Sequence, residues 1–380
     1  MRRAVVVLAG VLIACKEPEA PPATPVAAVP AQPPPPSVTA PAPVATPPPP
    51  PPVETFPPPK PTTIPLGKTG DPSLDATLSE GDKAFETGDL AKALAQYEAA
   101  KKAAPKRAAP LVGIARVKVA KASPSLAYAA AEKNADVAAA AKDLKRAAEM
   151  EPNFGAAHVE HGRALLLLGD GPGAEVALRK GVKLLEADAE AHSALGVALL
   201  ANGKSEDAVV ELTKAKELDP GSSARRGNLG TVLFMRGRVQ EAIKEYEAET
   251  KIDPNDAHAR SDLGTAYLAS NDFQRAVPEL RRAIELDPKR ATFRSNLGYA
   301  LQLQGKTSEA IAEYREALKL DPKLASAWIN LATALARDPK TRGEARAALE
   351  KARAIDPADP RVKANLEELD ALEKGGATSK

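Results

Sequence analysis

The feature that most constrains the fold is a 34-residue spacing that repeats through the chain from residue 162 onward. Small residues recur at this interval, at Gly162, Gly196, Gly230, Gly264, Gly298 and Ala332. A bulky residue follows each of the glycines sixteen positions later, at Leu178, Leu212, Tyr246, Leu280 and Tyr314. A fixed spacing of this length indicates stacked repeats, in which each supersecondary unit buries its apolar face against its neighbours.

Each repeat is predicted to contain two helices, because Ala, Leu, Glu and Lys dominate it and these residues favour helix. The small residues allow the two backbones to approach, and the bulky residues fill the space around that contact. The predicted turn between the two helices contains Gly169, Gly203, Gly237 and Gly305, since glycine adopts a positive φ without steric cost. The second helix is predicted to end at Asp-Pro, because proline disfavours helix at the residue before it.

This order of Leu-Gly, Ala, Leu or Tyr, Ala and Pro closely resembles the tetratricopeptide repeat (TPR) family. The resemblance implies an all-α, right-handed superhelical solenoid of about eight helical hairpins, closed by a C-terminal capping helix. The composition ahead of the repeats predicts a disordered proline-rich linker. Aromatic residues make up only 3% of the chain, which agrees with small stacked units rather than one large core.

The predicted repeat units span residues 74–107, 108–154, 155–188, 189–222, 223–256, 257–290, 291–324 and 325–358, and the capping helix spans 359–374. The second unit carries about 13 extra residues by comparison with its neighbours. Ser123-Pro124 in this insertion is typical of a helix start and predicts an unusually long second helix. Pro278 falls inside a predicted second helix and is expected to kink it.

The first fourteen residues are interpreted as a lipoprotein signal peptide. Arg2 and Arg3 precede an apolar run from Ala4 to Ala14, which is shorter than the roughly 20 residues that span a bilayer. The run ends in Leu-Ile-Ala-Cys, which resembles the lipobox of bacterial lipoproteins. That resemblance implies cleavage before Cys15 and attachment of two or three acyl chains, which would anchor the protein stably. The alternative is an ordinary signal peptide that happens to contain cysteine.

Residues 15–72 are interpreted as the acylated cysteine and a disordered linker. Of the 36 prolines in the chain, 23 lie between Pro18 and Pro72. Proline removes backbone donors and fixes φ, so this stretch favours polyproline II over helix or sheet. We interpret it as a stalk that holds the folded part away from a membrane. The alternative is a ligand for a proline-binding domain.

In the TPR family the first helices line a concave groove, at positions 2, 5, 6, 9 and 12 of each unit. Carried onto this chain, the candidate peptide-binding residues are Asn228, Thr231, Phe234, Ser261, Thr265, Asn296, Tyr299, Asn330 and Thr333. This lining is neutral, polar and mildly aromatic, and it suits an extended or helical peptide. Val197, Thr231 and Thr265 stand where carboxylate-clamp relatives have basic residues, which argues against capture of a free C-terminus. The alternative is that the asparagines only brace neighbouring units.

Charge and residue types exclude several other functions. The net charge is +2, and loss of Arg2 and Arg3 leaves 50 basic and 50 acidic residues, so no electrostatic footprint for nucleic acid remains. Cys15 is the one cysteine, which excludes an internal disulfide. His158, His161 and His192 are interpreted as packing residues rather than metal ligands. We therefore expect no enzyme, metal site, cofactor or small-molecule substrate.

The expected function is a membrane-anchored protein–protein interaction scaffold that assembles or positions a cell-envelope complex. The expected location is the bacterial envelope, at the outer membrane facing the periplasm, since Lys16 replaces the Asp that favours inner-membrane retention in enteric bacteria. Lipoproteins of this architecture also resemble pilot proteins for type IV pilus secretins and adaptors for cell-wall hydrolases, and an envelope motility or secretion machine is equally open. An enzyme would need a catalytic domain, and the repeats occupy nearly all of residues 74–374.

Overall fold

A computed structural model of the protein describes residues 63–122 and 129–377. The predicted signal peptide, Cys15 and most of the predicted linker lie outside these residues. Within the described part, the chain contains seventeen α-helices and one short 3₁₀ helix, with no strand. None of the described helices combines the length and apolar character needed to cross a membrane.

The helices form eight consecutive antiparallel pairs followed by one last helix. The first helices of the pairs are α1 (Pro72–Glu86), α3 (Ala108–Ala122), α5 (Gly155–Leu167), α7 (Ala189–Ala201), α9 (Ser223–Met235), α11 (Ala257–Ala269), α13 (Ala291–Leu303) and α15 (Ala325–Ala336). The second helices are α2 (Leu90–Ala103), α4 (Ala135–Met150), α6 (Gly171–Leu184), α8 (Ser205–Leu218), α10 (Val239–Ile252), α12 (Phe273–Leu286), α14 (Thr307–Leu320) and α16 (Arg342–Ile355). The capping helix is α17 (Pro360–Ala377).

Each pair is held by a small residue on the first helix and a bulky residue on the second. A Cβ added at Gly230 would lie 2.7 Å from Cε1 of Tyr246, and one at Gly196 would lie 2.5 Å from Cγ of Leu212. Both distances are too short for a real Cβ contact, so only glycine permits this approach. The predicted role of the 34-residue glycine spacing is confirmed.

The turn between the two helices of a pair requires a left-handed backbone conformation. Gly169, Gly203, Gly237 and Gly305 have φ angles between +73° and +79°. In the sixth pair Asn271 takes the same place with a φ of +62°. Asparagine tolerates this region better than other residues with a Cβ, so the turn is preserved there without glycine.

The pairs stack into one continuous core. Each second helix packs against the first helix of the next pair, and most first helices also contact the next first helix. This contact between first helices is sparsest from α9 to α11. Apolar side chains from Ile64, just ahead of α1, to Leu369 in α17 form the core, and Val362 of α17 joins Ile329 in a small cluster at the C-terminal end. The predicted all-α solenoid with a C-terminal cap is confirmed.

The predicted long second helix in the second pair is wrong. Helix α4 begins at Ala135 and has 16 residues, only two more than α2. The Asn134 side chain caps it by accepting hydrogen bonds from the backbone N–H groups of Asp136 and Val137. The residues just before Asn134 are held as a turn, because the N–H of Ala129 donates to the Leu166 carbonyl of α5 at 2.9 Å. Residues 123–128, which include Ser123-Pro124, lie outside the described part.

Candidate peptide-binding groove

The first helices form the inner wall of the solenoid, because they contact one another from pair to pair while the second helices pack behind them. Residues at positions 6 and 9 of the predicted units lie on this wall and meet across the junction between neighbouring pairs. The chemistry of these junctions decides what the wall can bind.

The nine predicted groove residues all lie on first helices from α9 to α15. Tyr299 and Thr333 are exposed, and Ser261 is buried. The remaining six are half-buried, namely Asn228, Thr231, Phe234, Thr265, Asn296 and Asn330. Tyr299, with 43% of its surface exposed, presents the largest accessible apolar area among the nine. The wall here is therefore neutral, polar and aromatic.

Several of these side chains also form hydrogen bonds across pair junctions, and we call this set of three bonds the amide ladder. The Asn228 amide donates to the Ser193 hydroxyl at 3.3 Å, and the Asn296 amide donates to the Thr265 hydroxyl at 3.3 Å. At the C-terminal end, the Asn365 amide of α17 donates to Thr333, also at 3.3 Å. These asparagines therefore do brace neighbouring pairs. Of the two aromatic residues of the wall, Phe234 packs partly against the core and Tyr299 is exposed.

The first four pairs have a different inner wall, which sequence reasoning missed. Arg116 of α3 lies 3.2 Å from the Asp82 carboxylate of α1 and 2.8 Å from the Glu160 carboxylate of α5. Arg163 of α5 lies 3.5 Å from both Glu160 and Glu190 of α7. All five side chains are buried or nearly so.

The row of charges continues into α9. Arg225 lies 2.8 Å from the Glu190 carboxylate and 3.9 Å from Asp219, both of which are buried. We call this row of seven residues the ionic chain: Asp82, Arg116, Glu160, Arg163, Glu190, Arg225 and Asp219. It links five successive first helices, so the N-terminal wall is braced by ion pairs where the C-terminal wall is braced by amides.

Burial and charge compete in setting the pKa values of the ionic chain. Burial raises the pKa of Asp82, and the positive charge of Arg116 offsets only part of that effect. Burial also acts on Glu160, but Arg116 and Arg163 outweigh it and the pKa of this carboxyl is lowered. Burial opposes the charge of Arg116 too, yet the carboxylate of Glu160 and its other neighbours keep the guanidinium pKa raised. Glu160 and Arg116 are therefore charged at neutral pH.

A sequence signal for the ionic chain did exist. Position 9 carries Asp82, Arg116 and Arg163 in the first three units, whereas Thr231 and Thr265 stand there in later units. The basic residues that a carboxylate clamp needs are thus present in two units. They are already paired with acidic residues of this chain. They are not free to grip a partner's C-terminus.

Two of the histidines, His158 and His192, form local hydrogen bonds through their rings. Nε2 of His158 lies 2.9 Å from the Pro152 carbonyl, and Nε2 of His192 lies 3.0 Å from the Glu186 carbonyl. Nδ1 of His192 lies 2.6 Å from the Glu211 carboxylate, and this hydrogen bond raises the pKa of the imidazole. Among the described residues, no group of three or more His, Cys, Asp or Glu side chains is arranged to hold a metal ion.

Comparison with known proteins places this groove in context. No curated protein matches the chain significantly. The fold is similar to the crystal structure of the APC/C hetero-tetramer Cut9–Hcn1, with a TM-score of 0.58 and 17% identity over 80% of this chain. At 17% identity the similarity concerns the fold alone, and the chain spans 57% of the length of that protein.

Two shorter structures match less closely. Pseudomonas aeruginosa pilF has a TM-score of 0.49 and 19% identity over 56% of this chain and 97% of its own. YrrB, described as a TPR protein with an unusual peptide-binding site, has a TM-score of 0.41 and 24% identity over 50% of this chain and 98% of its own. Neither likeness is strong enough to bear on function.

The family itself is shown by the sequence models. Two models, both described as tetratricopeptide repeat, match residues 129–184, 261–325 and 304–360 in one case and 199–263 in the other. Together they cover more than half of the 380 residues. The chain belongs to the tetratricopeptide repeat family.

Proposed function

We propose that this protein is a membrane-anchored scaffold that holds a partner protein of the cell envelope in the inner wall of its solenoid. A TPR solenoid suits protein binding in general, because its stacked pairs create one extended concave surface. The observation that carries the proposal is the wall from α9 to α15, where exposed Tyr299 and half-buried Phe234 stand among hydroxyl and amide groups. A rigid aromatic side chain surrounded by adaptable polar groups is typical of a protein-binding surface.

The chemistry of this wall favours an extended or helical peptide without a net charge. The amide ladder uses part of the hydrogen-bonding capacity of its asparagines, but a carboxamide has two donors and an acceptor, so further bonds to a peptide backbone remain possible. A strongly charged partner is disfavoured, because no unpaired cluster of one sign lies among the predicted groove residues.

The experiment is photo-crosslinking in living cells, with a photoreactive residue at Tyr299 or at Phe234. The matched control is Lys244, which is exposed on the second helix α10 and therefore lies behind the wall. We expect one dominant adduct from both groove positions and none from Lys244, and mass spectrometry of that adduct names the partner. A secretin in the band would support the pilot alternative. Equal labelling from Lys244 would contradict groove binding.

The membrane anchor is tested separately at Cys15, which lies outside the described residues. We expect Cys15→Ala to abolish labelling with a fatty-acid probe and to release the protein from the membrane fraction. The proposed membrane anchor rests on the lipobox pattern and on the proline-rich stretch that follows it. Labelling that persists in the variant would remove the anchor from the proposal while leaving the groove untouched.

A further inference from the structure

The residues just ahead of α1 run along the inner wall of the first two pairs. The backbone N–H of Leu66 donates to the Asp82 carboxylate at 2.7 Å, and the Ile64 carbonyl accepts from the Arg116 guanidinium at 3.0 Å. Further along, the N–H of Thr69 donates to Asp75 at 2.7 Å. Because its contacts move from the end of α1 toward its start, this segment, residues 63–69, lies antiparallel to α1. We call it the internal segment.

The internal segment has the burial pattern of an extended peptide in a groove. Ile64 and Leu66 are 3% and 0% exposed, whereas Pro65 between them and Lys68 beyond them are exposed. Thr63 is also buried, at 6% exposed, so the alternation holds only for residues 64–66, where Ile64 and Leu66 lie against the wall and Pro65 lies away from it. Gly67 is the point of closest approach, because an added Cβ would lie 2.6 Å from the Asp75 carbonyl oxygen.

The two residues that bind this backbone both have ionisable side chains, and both are buried. Asp82 and Arg116 form an ion pair, but each also bonds a backbone group of the internal segment. A carboxylate on an N–H and a guanidinium on a carbonyl recognise peptide backbone whatever its side chains. The Tyr97 hydroxyl, which donates to Asp82 at 2.7 Å, helps to fix that carboxylate in place. The pockets that hold the apolar side chains of Ile64 and Leu66 would give the site a preference for peptides with apolar residues at these two positions.

We propose that the inner wall of the first two pairs is a peptide-binding site that the internal segment fills as a built-in ligand. A partner's extended segment takes the same site when the internal segment leaves, provided that it carries two apolar side chains two residues apart and then a glycine. This inference deepens the proposed function, because it names a second site on the inner wall and the chemistry of the ligand that the site binds. It rests on the proposed function only in assuming that the inner wall binds protein partners. In the intact chain the built-in ligand competes strongly, since its tether holds it at a high effective concentration.

The test uses the full chain and a fluorescent peptide with the sequence TTIPLGKTG, which copies residues 62–70. The variant Gly67→Val should push the internal segment off the wall by steric conflict with α1. We expect this variant to bind the peptide at least tenfold more tightly than the unchanged chain does, as measured by fluorescence anisotropy. A peptide with serine in place of the isoleucine and leucine should not bind.

The matched control is Lys68→Val, which places the same side chain on the exposed side of the same segment and should bind no better than the unchanged chain. A folded Gly67→Val variant that fails to bind the peptide would overturn the proposal, as would equal binding of the serine peptide. If Gly67→Val loses helicity, Leu66→Ser replaces it. Loss of helicity in both would show that the internal segment is only part of the first pair's core, which also rejects the proposal. Neither outcome affects crosslinking at Tyr299.

Discussion

The two ends of the solenoid brace the same inner wall with opposite chemistry. From α1 to α9 the junctions between pairs contain the ionic chain, in which Arg116, Glu160 and Arg225 are almost completely removed from water. Beyond α9 the neutral amide ladder continues at the α11–α13 and α15–α17 junctions, and its first rung shares the α7–α9 junction with the ion pair of Arg225 and Glu190. The repeat therefore determines the positions of the side chains that join neighbouring pairs, but it does not determine whether those side chains are charged or neutral.

The difference has an energetic consequence. A buried ion pair gains little over well-packed apolar residues, yet removing one partner leaves an uncompensated charge in a poorly hydrated place. A lost neutral hydrogen bond costs far less. The N-terminal wall should therefore tolerate single substitutions badly, and the C-terminal wall should tolerate them well and be free to vary with the partner.

The largest effect is expected from Arg116→Met, which leaves Asp82 and Glu160 without their shared cation. We expect a loss of about 3–5 kcal/mol in the free energy of unfolding of the first pairs, measured by urea denaturation. Lys118→Met is the control, because Lys118 is on the same helix and its ion pair with Asp143 is exposed. If both variants lose the same stability, the ionic chain is no more than a surface feature.

The next effect is expected from Gly230→Leu, which tests packing within a pair rather than bracing between pairs. The larger side chain would collide with the buried ring of Tyr246, and we expect a loss of about 1–3 kcal/mol in unfolding free energy. Gly343→Leu is the control, since nothing lies within 4 Å of an added Cβ there. The melting temperatures of the two variants, measured by thermal unfolding, test this expectation. Unchanged stability in Gly230→Leu would mean that the helices can separate without cost.

A gain is expected at the junction between the two kinds of wall. Glu249 of α10 is 7% exposed, and its Oε2 has no hydrogen-bond partner among the described residues. Burial raises the pKa of its carboxyl well above the usual value, and the negative charge of Asp262 raises it further. The stability that the protonated form provides is complete below about pH 4.5 and is lost as the pH rises through the raised pKa.

Glu249→Gln should therefore stabilise the protein by about 1–2 kcal/mol at pH 8, and the gain should shrink as the pH falls toward 4.5. Melting temperatures of the variant and the unchanged protein at both pH values measure this. The control is Glu241→Gln on the same helix, where the exposed carboxylate pairs with Arg238. A gain that is independent of pH would contradict the assignment to a buried carboxylate.

The smallest effect is expected from Asn296→Ala, which removes one rung of the amide ladder. We expect a loss of about 0.5–1.5 kcal/mol in unfolding free energy, because the Thr265 hydroxyl can turn to water instead. Asn330→Ala provides the comparison, since no hydrogen bond of its amide to another described residue is seen. Equal losses in the two variants would show that the ladder bond itself contributes nothing.

Most of the fold could be predicted from local spacing, because Gly230 and Tyr246 or Gly298 and Tyr314 repeat at a constant interval within each pair. The start of α4 could not, since the bonds from Ala129 to α5 that prevent an earlier start join residues far apart in sequence. The ionic chain was missed for a related reason. Arg116 and Glu160 are 44 residues apart, so the extra residues of the second unit shift this junction out of the 34-residue pattern.

The predicted groove residues could be placed on the inner wall from their positions in the repeat. The spacing of the repeat does not show whether a partner contacts them. The asparagines serve the junctions between pairs as well as facing the groove. Tyr299 is distinguished from Thr265 one unit earlier only by its chemistry. The structure therefore limits the candidate partner-binding residues to those whose side chains do not brace neighbouring pairs or pack in the core.

The antiparallel course of the internal segment also determines how the first pair responds to mechanical load. A pull on the chain ahead of Thr63 reaches the contact with Glu86 first, then the one with Arg116, then the one with Asp82, and only later the one with Asp75. The contacts are therefore peeled one after another, as in a zipper, rather than sheared all at once. Peeling needs a lower force than shearing, so tension on the chain would uncover the first pair's inner wall before any helix unfolds.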